Sequence, residues 1–192
     1  MKGVILASAF ITWMSAALAT GDEGDATLDR VLARIASEAG NSVRFREEKT
    51  LSFLDSPLVT YGRLRLEAPD KLIRETAGQS GARFVVSSST LVIEEAGKAP
   101  KEMRLDDYPA LRGMMDTMRA LFTGDLSILN RLYRIKLQTD GAAWAMELRP
   151  REDAISRFVT AIKVSGREAR IRTIETLESG GDRVLMTILQ DG

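Results

Sequence analysis

The 192-residue sequence contains no cysteine and no histidine. Without cysteine there is no disulfide and no thiolate nucleophile, and the usual zinc ligand sets cannot be assembled. Without histidine a Ser-His-Asp or Cys-His arrangement is excluded, and so is the commonest general base at neutral pH. Charge of one sign is also lacking: 27 Lys plus Arg balance 27 Asp plus Glu. A general nucleic-acid binder would carry a basic excess, so no nucleic-acid partner is expected. Aromatic residues are sparse at 6%, and there are only five prolines. Beyond the N-terminus no apolar run is long enough to span a bilayer.

The N-terminus holds the clearest local signal. "MKGVILASAFITWMSAALATGDEGD" has a positive Lys2, an apolar run from Val4 to Leu18 and the small-residue site Ala17-Leu18-Ala19. This order predicts a secretory signal peptide over residues 1–19, followed by one domain over residues 20–192. A membrane anchor would need a longer apolar stretch. No cysteine follows the run, so lipidation of the bacterial lipoprotein type is excluded. A soluble, monomeric, periplasmic protein is the expectation.

After that segment, Leu28, Val31, Leu32 and Ile35 recur at helical spacing, with Asp25 or Thr27 as cap and Gly40 at the end. The pattern then changes to period two. Val43 and Phe45, continuing to Leu51 and Phe53, alternate with Arg44, Arg46 and Glu48. "YGRLRLEAPDK" puts Leu64 and Leu66 on one face and Arg63 and Arg65 on the other, ending at Ala68-Pro69. "KLIRET", "ARFVVSS", "TLVIEE" and "EMRL" continue as short strands. "DDYPALRGMMDTMRALFTGD" then predicts a helix with Asp106 or Asp107 as cap, Pro109 in its first turn and Gly124 at its end. A short helical turn near Leu126–Leu129 comes next. Five more strands follow, broken at Asp140-Gly141, Pro150, Ser165-Gly166 and Gly180-Gly181.

The expected fold is mainly β (α+β). It is a single large curled antiparallel sheet, an unclosed half-barrel of about eleven strands with helices covering the concave face. Leu64 and Leu66 should point inward and Arg63 and Arg65 outward.

Three stretches in this order resemble a known family. They are "F-x-E-x-K" (Phe45 to Lys49), "G-x-L-x-L-x-x-P" (Gly62 to Pro69) and "W-x-M-x-L-x-P" (Trp144 to Pro150). The sequence is similar to the outer-membrane lipoprotein carriers, the LolA-like proteins. The resemblance implies a hydrophobic cavity under a helical lid. It also implies carriage of a lipid or acyl chain from an inner-membrane exporter to an outer-membrane receptor, with no cofactor. The family has an arginine just before the proline of the second strand, which latches the lid. Here that position is Ala68, so a divergent member handling another lipid or acylated molecule is expected.

The candidate lipid-binding residues are Phe45, Leu64, Leu66, Met114, Met115, Met118, Phe122, Trp144, Met146 and Leu148. Each also suits an ordinary core, and methionine adapts to varied apolar surfaces. The carboxylate pairs Glu47-Glu48, Glu94-Glu95 and Asp106-Asp107 read as solvated faces or a helix cap, since neighbouring strand residues point apart. No metal or catalytic residue is assigned. A protein-binding sensor or regulator on the same half-barrel is the alternative function, and an enzyme ranks last.

Overall fold

A computed structural model describes residues 22–38, 42–67, 71–78, 81–87 and 89–189. The expected signal peptide and cleavage site, Gly40, and the strand end at Ala68-Pro69 lie outside these residues.

The first helix, α1, covers Asp22–Glu38, so Asp25 and Thr27 lie inside it rather than capping it. Six strands follow: β1 Ser42–Thr50, β2 Leu58–Glu67, β3 Lys71–Thr76, β4 Ala82–Val86, β5 Thr90–Glu95 and β6 Lys101–Arg104. A 3-10 turn at Leu105–Asp107 leads into α2 (Pro109–Thr123) and α3 (Leu126–Leu132). Then come β7 Tyr133–Asp140, β8 Ala143–Pro150, α4 Asp153–Ser156, β9 Val159–Arg167, β10 Arg170–Glu178 and β11 Arg183–Leu189.

All eleven strands form one antiparallel sheet in the order β6-β5-β4-β3-β2-β1-β11-β10-β9-β8-β7. Neighbours in space are neighbours in sequence except at one seam, where β1 pairs with β11 from Arg44↔Leu189 to Thr50↔Arg183. The sheet does not close, and its edges are β6 and β7. Both edges carry outward charges, Glu102 and Arg104 on one and Arg134 and Lys136 on the other, which discourages further strand pairing. The link between the two edges is the helical segment α2–α3, so it must cross the inner face.

Register fixes that face. Phe45, Leu64, Trp144, Met146, Leu148, Ile162, Val164, Ile174 and Met186 all point inward and form the principal core with Leu32, Leu121, Leu129 and Tyr133. A second cluster joins Leu72, Val86, Leu91 and Leu105. On the outer face Arg63 is exposed. Ile73 also points outward, opposite Arg65, yet it is fully buried. Ion pairs surround it: Arg65–Glu67 at 3.3 Å, Lys71–Glu67 at 3.4 Å, and Arg83 with Glu75 at 3.2 Å and Glu94 at 2.7 Å. Arg65 and Val85 are its partners in the sheet, and an arginine stem can cover an apolar neighbour. Such exposed ion pairs contribute little, about 0–1 kcal/mol each.

Several local expectations are corrected. β1 stops at Thr50, so Leu51 and Phe53 leave the inner face; Phe53 is 77% exposed. The chain turns there because the Leu54 amide bonds the Leu51 carbonyl and the Ser52 amide bonds the Asp182 carboxylate. The N-cap of α2 is Tyr108, with no side-chain bond to the helix; Asp106 instead pairs with Arg112. Pro109 does open the helix and Gly124 closes it in the left-handed conformation. Between β8 and β9, past the break at Pro150, the chain forms the short helix α4.

Gly166 is not a turn residue: it lies within β9, opposite Trp144. A Cβ there would fall 2.2 Å from the Trp144 ring and 2.4 Å from the Arg170 carbonyl, so only glycine lets the indole lie across the strand. The turn is made two residues later, with Glu168 at φ 54°. The Glu168 carbonyl accepts the indole N–H at 2.9 Å.

Candidate lipid-binding cleft

Helix α2 shows two different sides of the same interior. Gly113, Thr117, Ala120, Leu121 and Phe122 are buried. Thr117 Oγ1 lies 2.6 Å from the Gly113 carbonyl and 2.7 Å from the Tyr133 hydroxyl. Each hydroxyl has one proton, so Thr117 donates to the carbonyl and Tyr133 donates to Thr117. Burial raises the Tyr133 pKa above its ordinary value. Asp116 adds ion pairs to Arg119 at 3.1 Å and, more loosely, to Arg112 at 3.8 Å and Arg131 of α3 at 4.0 Å. Asp125 caps α3, accepting from Ser127 Oγ and the Ile128 amide; these bonds, Ser127 first, hold its carboxyl below the usual range. The C-terminal half of α2 is thus rooted in the packed half of the sheet.

The other side of α2 is less well covered. Leu111, Met115 and Met118 are only half-buried where they pack on the Leu72, Val86, Leu91 and Leu105 cluster, and so are Leu66, Phe84 and Ile93, which pack on the same cluster. Around this cluster helix and sheet both keep part of their apolar surface open, and this half-covered surface is the cleft. At the start of α2 lies a groove of about 670 Å³, which shares Leu111 with this surface. Tyr108, Leu111 and Met114 form one wall and Phe158, Val159 and the β10–β11 turn the other. Tyr108 and Phe158 are both exposed at its mouth.

The ten residues singled out in the sequence separate accordingly. Phe45, Leu64, Phe122, Trp144, Met146 and Leu148 are buried in the principal core. Leu66 and Met115 border the cleft, Met118 touches both clusters, and Met114 packs on the core while lining the groove. Phe84, Ile93, Leu111, Tyr108 and Phe158 complete the apolar surface. Leu111 belonged to the visible helical stripe; the others had no distinguishing signal.

Two charged residues also lie on the inner face. Arg74 pairs across the sheet with Leu64 and Phe84, and Glu47 lies in line with Phe45. They form a 2.7 Å ion pair, which corrects the reading of Glu47 as part of a solvated face. The alternation that sends Glu48 outward sends Glu47 inward. Among the described residues no group of three or more acidic, histidine or cysteine side chains is placed to hold a metal ion.

Residues 20–191 match the family model described as outer membrane lipoprotein carrier protein LolA-like. The chain belongs to the LolA-like family. No curated protein matches it. Among solved structures, this LolA-like chain is similar to a LolA superfamily protein from Nitrosomonas europaea, at 10% identity and TM-score 0.47, covering 83% of this chain and 90% of that one. It is also similar to a putative outer membrane lipoprotein-sorting protein domain from Vibrio parahaemolyticus, at 12% identity and TM-score 0.47, over 88% and 91% of the two chains. The Pseudomonas aeruginosa MucA/MucB complex matches at 11% identity and TM-score 0.44, over 85% of this chain and 56% of that one. The family match alone carries the assignment.

Proposed function

We propose that this LolA-like chain loses residues 1–19 on export and works in the periplasm as a carrier of a lipid or acylated molecule bound for the outer membrane. An inner-membrane exporter would supply the cargo and an outer-membrane receptor would take it. The observation that carries the reading is the half-covered apolar surface that Leu66, Phe84 and Ile93 of the sheet and Leu111, Met115 and Met118 of α2 leave around one buried cluster. An acyl chain lying there would complete the burial of both surfaces. Each buried methylene contributes about 0.8 kcal/mol, so about ten of them would supply the ~8 kcal/mol of micromolar binding. The groove beside Tyr108 and Phe158 has a volume within the range of about 300–1,000 Å³ common for small-molecule sites, and it offers an entry. Methionine at two of the lid positions suits cargo of varied shape.

A fluorescent fatty-acid analogue tests this directly. Folded wild-type protein is expected to bind it, and Met115→Asp to abolish binding, because a charge would be buried without a partner. Circular dichroism must show the variant folded. A second reading, a protein-binding regulator, draws on Phe53, Leu58, Val59 and Tyr61, large apolar side chains exposed along the β1–β2 hairpin. If folded wild-type protein binds no acyl analogue, the carrier reading falls and this one replaces it.

A further inference from the structure

Arg74 is an unusual residue to find on an apolar inner face. Leu64 is its partner on β2 and Phe84 its partner on β4. Its guanidinium carbon lies 5.1 Å from the centre of the Phe45 ring and 5.7 Å from that of Phe84. Phe45 reaches this position because its partner on β2 is Gly62. A Cβ at Gly62 would fall 2.5 Å from the Phe45 ring and 2.2 Å from the Glu75 carbonyl. The two rings come from different clusters, Phe45 from the principal core and Phe84 from the cleft. Arg74 therefore stands at the inner boundary of the proposed acyl site.

Two aromatic faces hold the cation there. Its one hydrogen bond among the described residues runs from Nη2 to Glu47 Oε1 at 2.7 Å. A guanidinium has five N–H donors in a planar fork, so Nε and Nη1 keep theirs. The Arg74 side chain remains 27% exposed and Glu47 19%, so the pair is reachable from the interior without being freely hydrated. An arginine needed only to neutralise Glu47 would not require two rings and an adjoining glycine to seat it.

We propose that Arg74 binds the anionic headgroup of an amphiphile, a carboxylate or a phosphate monoester, whose acyl chain runs past Phe84 into the cleft under Met115 and Met118. The headgroup takes the donors that Glu47 leaves free, and Glu47 orients the fork while limiting its affinity. That balance suits a carrier, which must release what it binds. The inference rests on the carrier reading and adds a charge preference to it.

The test uses the exported chain and three ligands of equal acyl length: a fatty acid, a lysophosphatidic acid and a neutral monoacylglycerol. Each competes with a bound fluorescent acyl analogue at pH 8. At least one anionic ligand is expected to bind about tenfold tighter than the neutral one, as a charge-assisted hydrogen bond provides. Which anion binds tighter identifies the headgroup source. Arg74→Gln should remove the preference, lowering anion affinity about tenfold while changing monoacylglycerol binding far less. Glu47→Gln should act in the opposite direction, raising anion affinity severalfold. It also serves if Arg74→Gln fails to fold. A merely structural ion pair predicts instead that both variants weaken all three ligands alike, which would overturn the proposal. Equal wild-type binding of all three would overturn it too, while the carrier reading stood. Binding of none would remove the carrier reading itself.

Discussion

Strands β7–β11 and strands β2–β6 flank the same first strand, and each set turns an apolar face toward the helices. On the β7–β11 side the inner residues Tyr133, Met146, Leu148 and Val164 are closed off completely, and α2 is hydrogen-bonded to that side through Thr117 and Tyr133. On the β2–β6 side, Leu66, Phe84 and Ile93 keep part of their surface open around the cluster on which Met115 and Met118 also pack. One side is a finished core and the other is a core lacking some of its contents. A carrier needs this division, because the finished side supplies the stability that the open side gives up.

The sharpest way to break the comparison is to remove matched apolar groups from both sides. Leu148→Ala should lower the unfolding free energy by about 2–5 kcal/mol, since the cavity cannot collapse. Met115→Ala should lower it by only about 1 kcal/mol, because less apolar surface returns to water. Urea denaturation measures both, and equal losses would mean that the two sides are equally packed. A smaller effect comes from the glycines under the aromatic rings. Gly166→Ala should destabilise by about 1–3 kcal/mol. Its Cβ meets Trp144, which the Glu168 carbonyl tethers, and the Arg170 carbonyl. An unchanged melting temperature would show that the indole is free to move. The smallest effect concerns pH. Tyr133 has its pKa raised from 10.0 by burial, so the folded state favours the neutral phenol. The stabilisation is complete below about pH 10 and is lost as pH rises through the folded value. Tyr133→Phe should cost about 1 kcal/mol at neutral pH and flatten the alkaline fall in stability, as unfolding curves between pH 8 and 11 would register.

Much of the fold was legible because its strands alternate cleanly. Leu64, Leu66, Met146 and Leu148 each have a charged neighbour in sequence, so the period alone assigns their face, and Trp144 follows from Met146 two residues on. It failed where both faces are apolar or where a distant contact decides. In "KLIRET" Leu72 and Ile73 are adjacent and both buried, on opposite faces of the sheet, so nothing local marks Arg74 as inward. Gly166 looked like a break because its reason, the Trp144 ring, arrives from 22 residues earlier. The cleft itself was not legible. Leu66 and Leu64 are alike in sequence, and the path of α2 over the sheet determines that one is half-open and the other shut.

The seam between β1 and β11 also governs how the chain acquires its shape. Arg44 must find Leu189, a separation of nearly the whole domain, before the two flanks share one sheet. Closing so long a loop is entropically unfavourable and is compensated only after the contacts form, which slows folding of such topologies. Until Arg183–Leu189 is in place, β1 and β10 each present an unpaired edge, and Phe45 and Ile174 lack their covering neighbours Ile188 and Met186. The nascent chain is therefore sticky for as long as its final strand is missing, and a truncation that removes β11 divides the sheet down its middle rather than trimming an end.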